Sequence, residues 1–304
     1  MATRRRTNKV NIDALVDLYE RCAAIDVHKE SVTICAILPS TGGSVQGEMV
    51  SYGTTTGELR QLSQWLQECG VTHVVMESTG VYWRPVWQIL EAGGFHLLLA
   101  NAKQVRNMPG RKTDQADAVW LATLLRKGLI KGSFIAPPQV RALRDLCRSR
   151  TSLVRDRTRV VQRIEKVLEE ANIKLDTVAS DLMGVGPRMM MEELIKGETD
   201  TTKIAELALG RMRPKIPQLV GALEGHFRPH QTFLLKQLLD QFDDLFRRIE
   251  RFEQQIEEYS RPFDKQMARL DAVPGIDRTS AAAWHDLPAL HQALGRNQGA
   301  CRIR

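Results

Sequence analysis

Eight apolar side chains, Leu235, Leu238, Phe242, Leu245, Ile249, Phe252, Ile256 and Tyr259, follow one another in alternating steps of three and four. That period is a helical seam 25 residues long, and such a seam must be covered by another helix of similar length. A matching stretch exists at 139–172, where Leu143, Leu146, Leu153, Val160, Ile164, Val167 and Ala171 recur on the same steps. Arg150 and Arg157 interrupt this second seam. The expectation is a pair of long helices, 139–172 and 231–260, joined through a small helical segment (173–229), with the 231–260 seam covered by the first helix or by a second subunit.

Upstream of Pro137-Pro138 the pattern changes. Short apolar runs at 22–27 and 31–38 read as a hairpin, with a third strand at 45–52. Leu59, Leu62, Trp65 and Leu66 mark a helix stopped by Gly70, and further runs at 71–76 and 95–100 flank a helix at 85–91. A short helix is expected over 12–20 as well. The order β-β-β-α-β-α-β-α predicts a mixed sheet covered by helices, compact within 21–133.

Charge is unevenly placed. The chain carries a formal net charge of +7, yet segment 101–166 holds 16 Lys and Arg against 5 Asp and Glu. The remainder holds 27 against 31. Such a concentration predicts a polyanion-binding surface, with nucleic acid as the partner. Its candidate contacts are Lys103, Arg106, Arg111 and Lys112, then Arg141, Arg144, Arg148, Arg155, Arg159 and Arg163 on the other faces of the 139–172 helix. The five cysteines (22, 35, 69, 147, 301) are odd in number and lack a C-x-x-C pair, which argues for reduced thiols. With no 18-residue apolar run and no leader-like start, the chain reads as a cytoplasmic protein without a membrane partner.

Four carboxylates stand out against this background. Asp26 and Glu77 end two apolar runs, where a buried strand has no use for charge. Asp114 and Asp117 lie three apart at the start of a helix expected over 114–127, with Thr113 as its N-cap. Acids in a first turn also complement the helix dipole, which is their ordinary structural role. If the strand ends meet that helix start, all four converge. Two carboxylates about 4 Å apart repel by roughly 4 kcal/mol at an effective dielectric near 20, so four require cations. Hard oxygen ligands of this kind suit magnesium or manganese and chemistry at phosphorus.

The words around these acids, AIDVHKESVTICAI, VVMESTGVYW and GRKTDQADAVWLA, resemble the acidic motifs of the DEDD transposases of bacterial insertion sequences, relatives of the Piv invertase. The resemblance implies a catalytic domain similar to Holliday-junction resolvases, of the ribonuclease H-like α/β fold. It implies Asp26, Glu77, Asp114 and Asp117 as a catalytic, metal-binding tetrad for Mg2+ or Mn2+. It further implies a recombinase acting on DNA and guided by a structured RNA, whose long helices form a coiled coil that supports a homo-oligomer.

The resemblance continues through LALGRMRPKIPQL to about residue 284. The domain scheme is then a basic arm (1–20), a resolvase-like domain (21–133), a helical region (137–263), a helix-hairpin-helix start of a serine domain (264–284) and a divergent tail (285–304). In LDAVPGIDRTSAAA, Asp277 stands where a second glycine is usual. The family's C-terminal domain carries a nucleophilic serine, and no family word follows Ala283. The expectation is a truncated or frame-shifted member with impaired strand exchange, or a nucleic-acid-binding remnant that pairs with intact relatives.

Overall fold

The computed structural model describes residues 16–39, 45–78, 80–101, 105 and 117–271. Two compact units divide the chain, 1–135 and 136–304. The first holds five strands, β1 (Cys22–Val27), β2 (Ser31–Pro39), β3 (Val45–Gly53), β4 (His73–Glu77) and β5 (His96–Ala100), in the order β3-β2-β1-β4-β5. β1 pairs antiparallel with β2 and β2 with β3, whereas β4 runs parallel to both β1 and β5. This is the ribonuclease H-like arrangement, with a hairpin meander feeding a parallel half.

β1 lies at the centre and is covered on both faces, which explains its small residues. Cys22, Ala23, Ala24 and Ile25 are fully buried. One face, carrying Ala23, Ile25, Ile34, Val74 and Met76, packs against α1 (Thr56–Glu68) and α2 (Trp83–Ala92) through Leu59, Leu62, Leu66, Val86 and Leu90. Thr55 caps α1 through a box in which its hydroxyl accepts from the Glu58 amide. The other face, carrying Cys22, Ala24, Cys35 and Val75, packs against α3 (Asp117–Arg126) through Ala118, Leu121, Ala122 and Leu125. Burial pushes the Cys22 thiol up to about 12 and raises Cys35 as well, as expected of structural thiols.

Residues 16–20 are irregular rather than the end of a 12–20 helix. Their amides are taken elsewhere: Leu18 and Tyr19 both donate to the Arg126 carbonyl, at 2.8 and 3.2 Å. The Asp17 carboxylate binds Arg126 and also Lys127, the latter at 2.7 Å. The Tyr19 ring stacks on His73 at 3.9 Å, and His73 on His96 at 4.8 Å. Burial, with His96 beside it, holds His73 below the ordinary imidazole range. This strap fixes the C-terminal end of α3 to the N-terminal ends of β1 and β4.

The second unit is built on α4 (Pro138–Glu170) and α9 (Pro229–Ser260), each more than 30 residues long. Between them lie α5 (Leu175–Val178), α6 (Val185–Lys196), α7 (Thr201–Ala205), a 3-10 turn (Gly210–Lys215) and α8 (Ile216–Ala222). A second 3-10 turn (Arg261–Phe263) and α10 (Asp264–Asp271) follow. α4 and α9 run antiparallel: Leu143 and Cys147 cluster with Ile256, while Val160 and Ile164 cluster with Leu235 and Leu239. Arg150, inside the α4 seam, donates Nε to Glu253 Oε1 at 3.0 Å across the pair. The seam of α9 is therefore covered from within the chain.

Two details depart from the sequence pattern. Leu239 lies off the heptad yet is 2% exposed, because α6 to α8 widen the core at that end. Tyr259, on the heptad, is 46% exposed. Where the chain returns past α4, Gly225 lies so close that a Cβ would meet the Ala171 carbonyl oxygen at 2.5 Å. Of the 264–284 segment, 272–284 lies outside the described residues, as do the 285–304 tail and residues 1–15 of the basic arm.

The strap yields a stability prediction. Asp17→Ala leaves the largely buried Arg126 and Lys127 without their shared carboxylate. It should lower unfolding stability by about 1–3 kcal/mol in a denaturant titration. A loss under about 0.3 kcal/mol would make the strap an ornament of the fold.

Candidate functional site

Strand register places the first two acids. On the parallel pair, Ile25 of β1 stands opposite Met76 of β4, so the next step sets Asp26 beside Glu77. By strand parity both belong to the face of Ala24 and Val75, which α3 covers. Asp26 sits opposite Thr33 on β2, and Glu77 opposite Ala100 on β5. The Asp26 side chain is 26% exposed, and Glu77 is half-buried.

The docking of α3 places the third. Its last carbonyl is held at the start of β1, so the helix runs back antiparallel to β1 and β4. Ten residues rise about 15 Å, close to the span of five or six strand residues. Asp117, the first residue of α3, thus returns to the strand end that carries Asp26 and Glu77, where it is exposed. Asp114 and the Thr113 cap lie outside the described residues. Among the described residues no group of three or more His, Cys, Asp and Glu side chains is gathered closely enough to hold a metal ion.

His28 joins this rim and is not among the sequence candidates. Its Nε2 lies 3.1 Å from Asp26 Oδ2. The signal is present in Asp26-Val27-His28, since residues two apart project from one face of an extended chain.

The basic candidates divide similarly. Lys103, Arg106, Arg111 and Lys112 lie outside the described residues. Arg141, Arg144, Arg148, Arg155, Arg159 and Arg163 all lie on α4. At one helical step per residue they fall within a single stripe about 100° wide, not scattered over several faces. The stripe is opposite Leu143, Cys147 and Ile164, which face the core. It runs about 33 Å along the helix. Arg148, Arg155, Arg159 and Arg163 are exposed, Arg141 and Arg144 half-buried. Arg159 pairs with Asp156 at 2.8 Å, a contact too exposed to neutralise the ridge.

A sequence profile of the DEDD transposases of IS110 type matches residues 23–173. Over that stretch the chain belongs to this transposase family. The matched span carries Asp26, Glu77, Asp114 and Asp117 together with the whole of the arginine ridge. The chain is also similar to the transposase for insertion sequence element IS1533 of Leptospira borgpetersenii, 32% identical over 155 residues. That match covers 50% of this chain and 44% of the relative, so it spans less than half of the relative's length. Among solved structures, Thermus thermophilus RuvC aligns at 15% identity and TM-score 0.28, over 37% of this chain and 99% of its own. A Ppx/GppA family member from Aquifex aeolicus aligns at 10% and TM-score 0.23, over 73% and 98%. The strand order β3-β2-β1-β4-β5 and its pairing define the fold of this unit.

In-register neighbours on adjacent strands lie roughly 5 Å apart, so Asp26 and Glu77 should repel measurably. In a double-mutant cycle with Asp26→Asn and Glu77→Gln, measured without divalent ions, the coupling should be unfavourable by about 1–3 kcal/mol. Additive substitutions would mean that the two carboxylates do not share a site.

Proposed function

We propose that this chain performs metal-dependent DNA strand cleavage in the transposition of an insertion sequence. The observation that supports this reading most is the register that sets Asp26 beside Glu77, at the strand end to which α3 returns Asp117. The donor set is all carboxylate, the chemistry that magnesium and manganese prefer. Asp26, Glu77, Asp114 and Asp117 would hold the ion. When bound, it would offset charge on the phosphorus oxygens and activate the attacking hydroxyl or water. The protein's own groups do the rest. The paired strand-end carboxylates concentrate negative charge where a cation is wanted, His28 orients Asp26 through its ring nitrogen, and a rigid sheet fixes both.

The ridge on α4 supplies the second half of the proposal. Guanidinium groups in one line along a helix match a line of phosphates, whether of target DNA or of a structured guide RNA. Homo-oligomerisation through the long helices belongs to the same proposal. Exposed Phe233, Leu234 and Phe246 on α9 provide apolar surface outside the seam for that contact.

The site and the ridge are tested separately. Magnesium or manganese should raise the melting temperature and support nicking of DNA. Asp26→Asn or Asp117→Asn should remove the thermal response and lower nicking by at least about a hundredfold, typical of losing a charged catalytic group. An unaltered metal response in the doubly substituted chain would defeat the site.

Replacing Arg155, Arg159 and Arg163 by Gln should weaken DNA and RNA binding alike. The slope of log affinity against log salt should drop by about 0.7–0.9 for each phosphate no longer neutralised. An unchanged slope would return the ridge to an ordinary solvated helix face.

A further inference from the structure

The 3-10 turn Gly210–Lys215 belongs to neither the acidic rim nor the α4 ridge. Arg211, Arg213 and Lys215 are all exposed on it. Between them Met212 turns inward, and Ile216 follows, both packed against the core of the helical unit. Cations and anchors thus alternate. Pro214 and Pro217 stiffen the segment, and Gly210, at φ +52°, admits the turn. No Asp or Glu occurs from 207 to 223. Arg213 meets Glu206 at 3.8 Å, with both side chains more than half exposed, too weak a pair to cancel the charge. Lys215 Nζ donates to the Val178 carbonyl at 3.1 Å, a contact that holds the ammonium in place without neutralising it.

A second observation lies beside it. A Cβ on Gly186 would stand 3.6 Å from the Leu207 oxygen and from the Leu209 nitrogen, and 3.8 Å from Met212 Sδ. The turn is therefore seated on the first turn of α6, which brings together two exposed apolar residues, Val185 at 68% and Leu209 at 51%. Scattered exposed aliphatics are ordinary. Two of them beside a turn that carries three exposed cations form a mixed surface. Phosphates fit the cations, and sugar or base faces fit the aliphatic patch. A rigid turn also loses little conformational entropy on binding.

We infer that Arg211, Arg213 and Lys215, with Val185 and Leu209, form a second nucleic-acid contact surface in the helical unit, separate from the α4 ridge. The inference rests on the reading of this chain as a nucleic-acid-binding protein. Both surfaces belong to the same compact unit, 136–304.

The test uses the whole chain with two fluorescent probes, a 20-base-pair DNA duplex and an RNA hairpin, titrated between 50 and 200 mM salt. The triple variant Arg211→Gln, Arg213→Gln, Lys215→Gln should bind at least one probe more weakly, with a salt slope lower by about 2–3. For duplex DNA, the fourfold rise in salt should then cost the parent about 40-fold more affinity than the variant. Val185→Ser with Leu209→Ser should weaken binding and leave the slope unchanged, because no charge is removed.

The ridge variant, run in parallel, separates the readings. If it loses affinity while the triple variant matches the parent on both probes in affinity and slope, the second surface is refuted and the ridge stands. If neither variant changes, both are refuted. Binding of the parent to anionic vesicles but to neither probe would also overturn the inference. All five positions are exposed, and an unchanged melting temperature confirms that each variant folds.

Discussion

The close seating of α3 on β1 is the contact on which the first unit depends. Ala118 and Ala122 of the helix and Cys22 and Ala24 of the strand are all fully buried. Small side chains on both partners let a helix approach a sheet at short range, and dense packing tolerates little change in their volume. The strap of residues 17–19 then locks one end of α3, where its last carbonyl accepts two amides and its basic residues meet Asp17. With one end fixed and its length matched to the strands, the other end has one place to go. The position of Asp117 is thus a consequence of alanines and of a strap far from it.

The helical unit solves a different problem. Two long helices cannot each bury a stripe alone, so α4 and α9 cover one another, and the short helices thicken the core at the end of Ile164 and Leu239. Around the middle of α4, from residue 148 to 159, no residue is fully buried, and Arg150 crosses to Glu253 instead of an apolar pair. A partly exposed ion pair contributes little to stability, but it opposes sliding of one helix past the other. Consigning the apolar residues to one side leaves the opposite side of α4 free for its arginines, which is how a helix with this much charge remains folded.

Much of this is legible in order along the chain. Strand runs, the helix stop at Gly70, and the eight-residue seam of α9 depend on local sequence pattern, which the backbone cannot evade. The limits of reading are equally local. The 12–20 stretch has the pattern of a helix, yet its described part spends its amides on the C-terminus of α3, a partner more than 100 residues away. His28 escapes notice because its two-residue spacing from Asp26 is a weak signal, which the 3.1 Å contact between the two side chains makes specific. The arginines read as covering several faces, although 100° per residue already gathers them into one stripe, and the structure adds that this stripe is the side turned away from the core.

The sequence by itself determined most of the elements, the two seams, the uneven charge and the three acidic words with their four carboxylates, because each follows from residue type at short spacing. Tertiary structure decided which acids become neighbours. Asp26 and Glu77 are 51 positions apart, and only the parallel pairing of β1 with β4, in the register that opposes Ile25 to Met76, sets them side by side. A slip of one residue would have turned one carboxylate to the α1 and α2 face, since strand side chains alternate. Tertiary structure likewise decided that the α9 seam is covered by α4 of the same chain. A heptad specifies an apolar surface of a given length and width, and it carries no information about which helix will cover it.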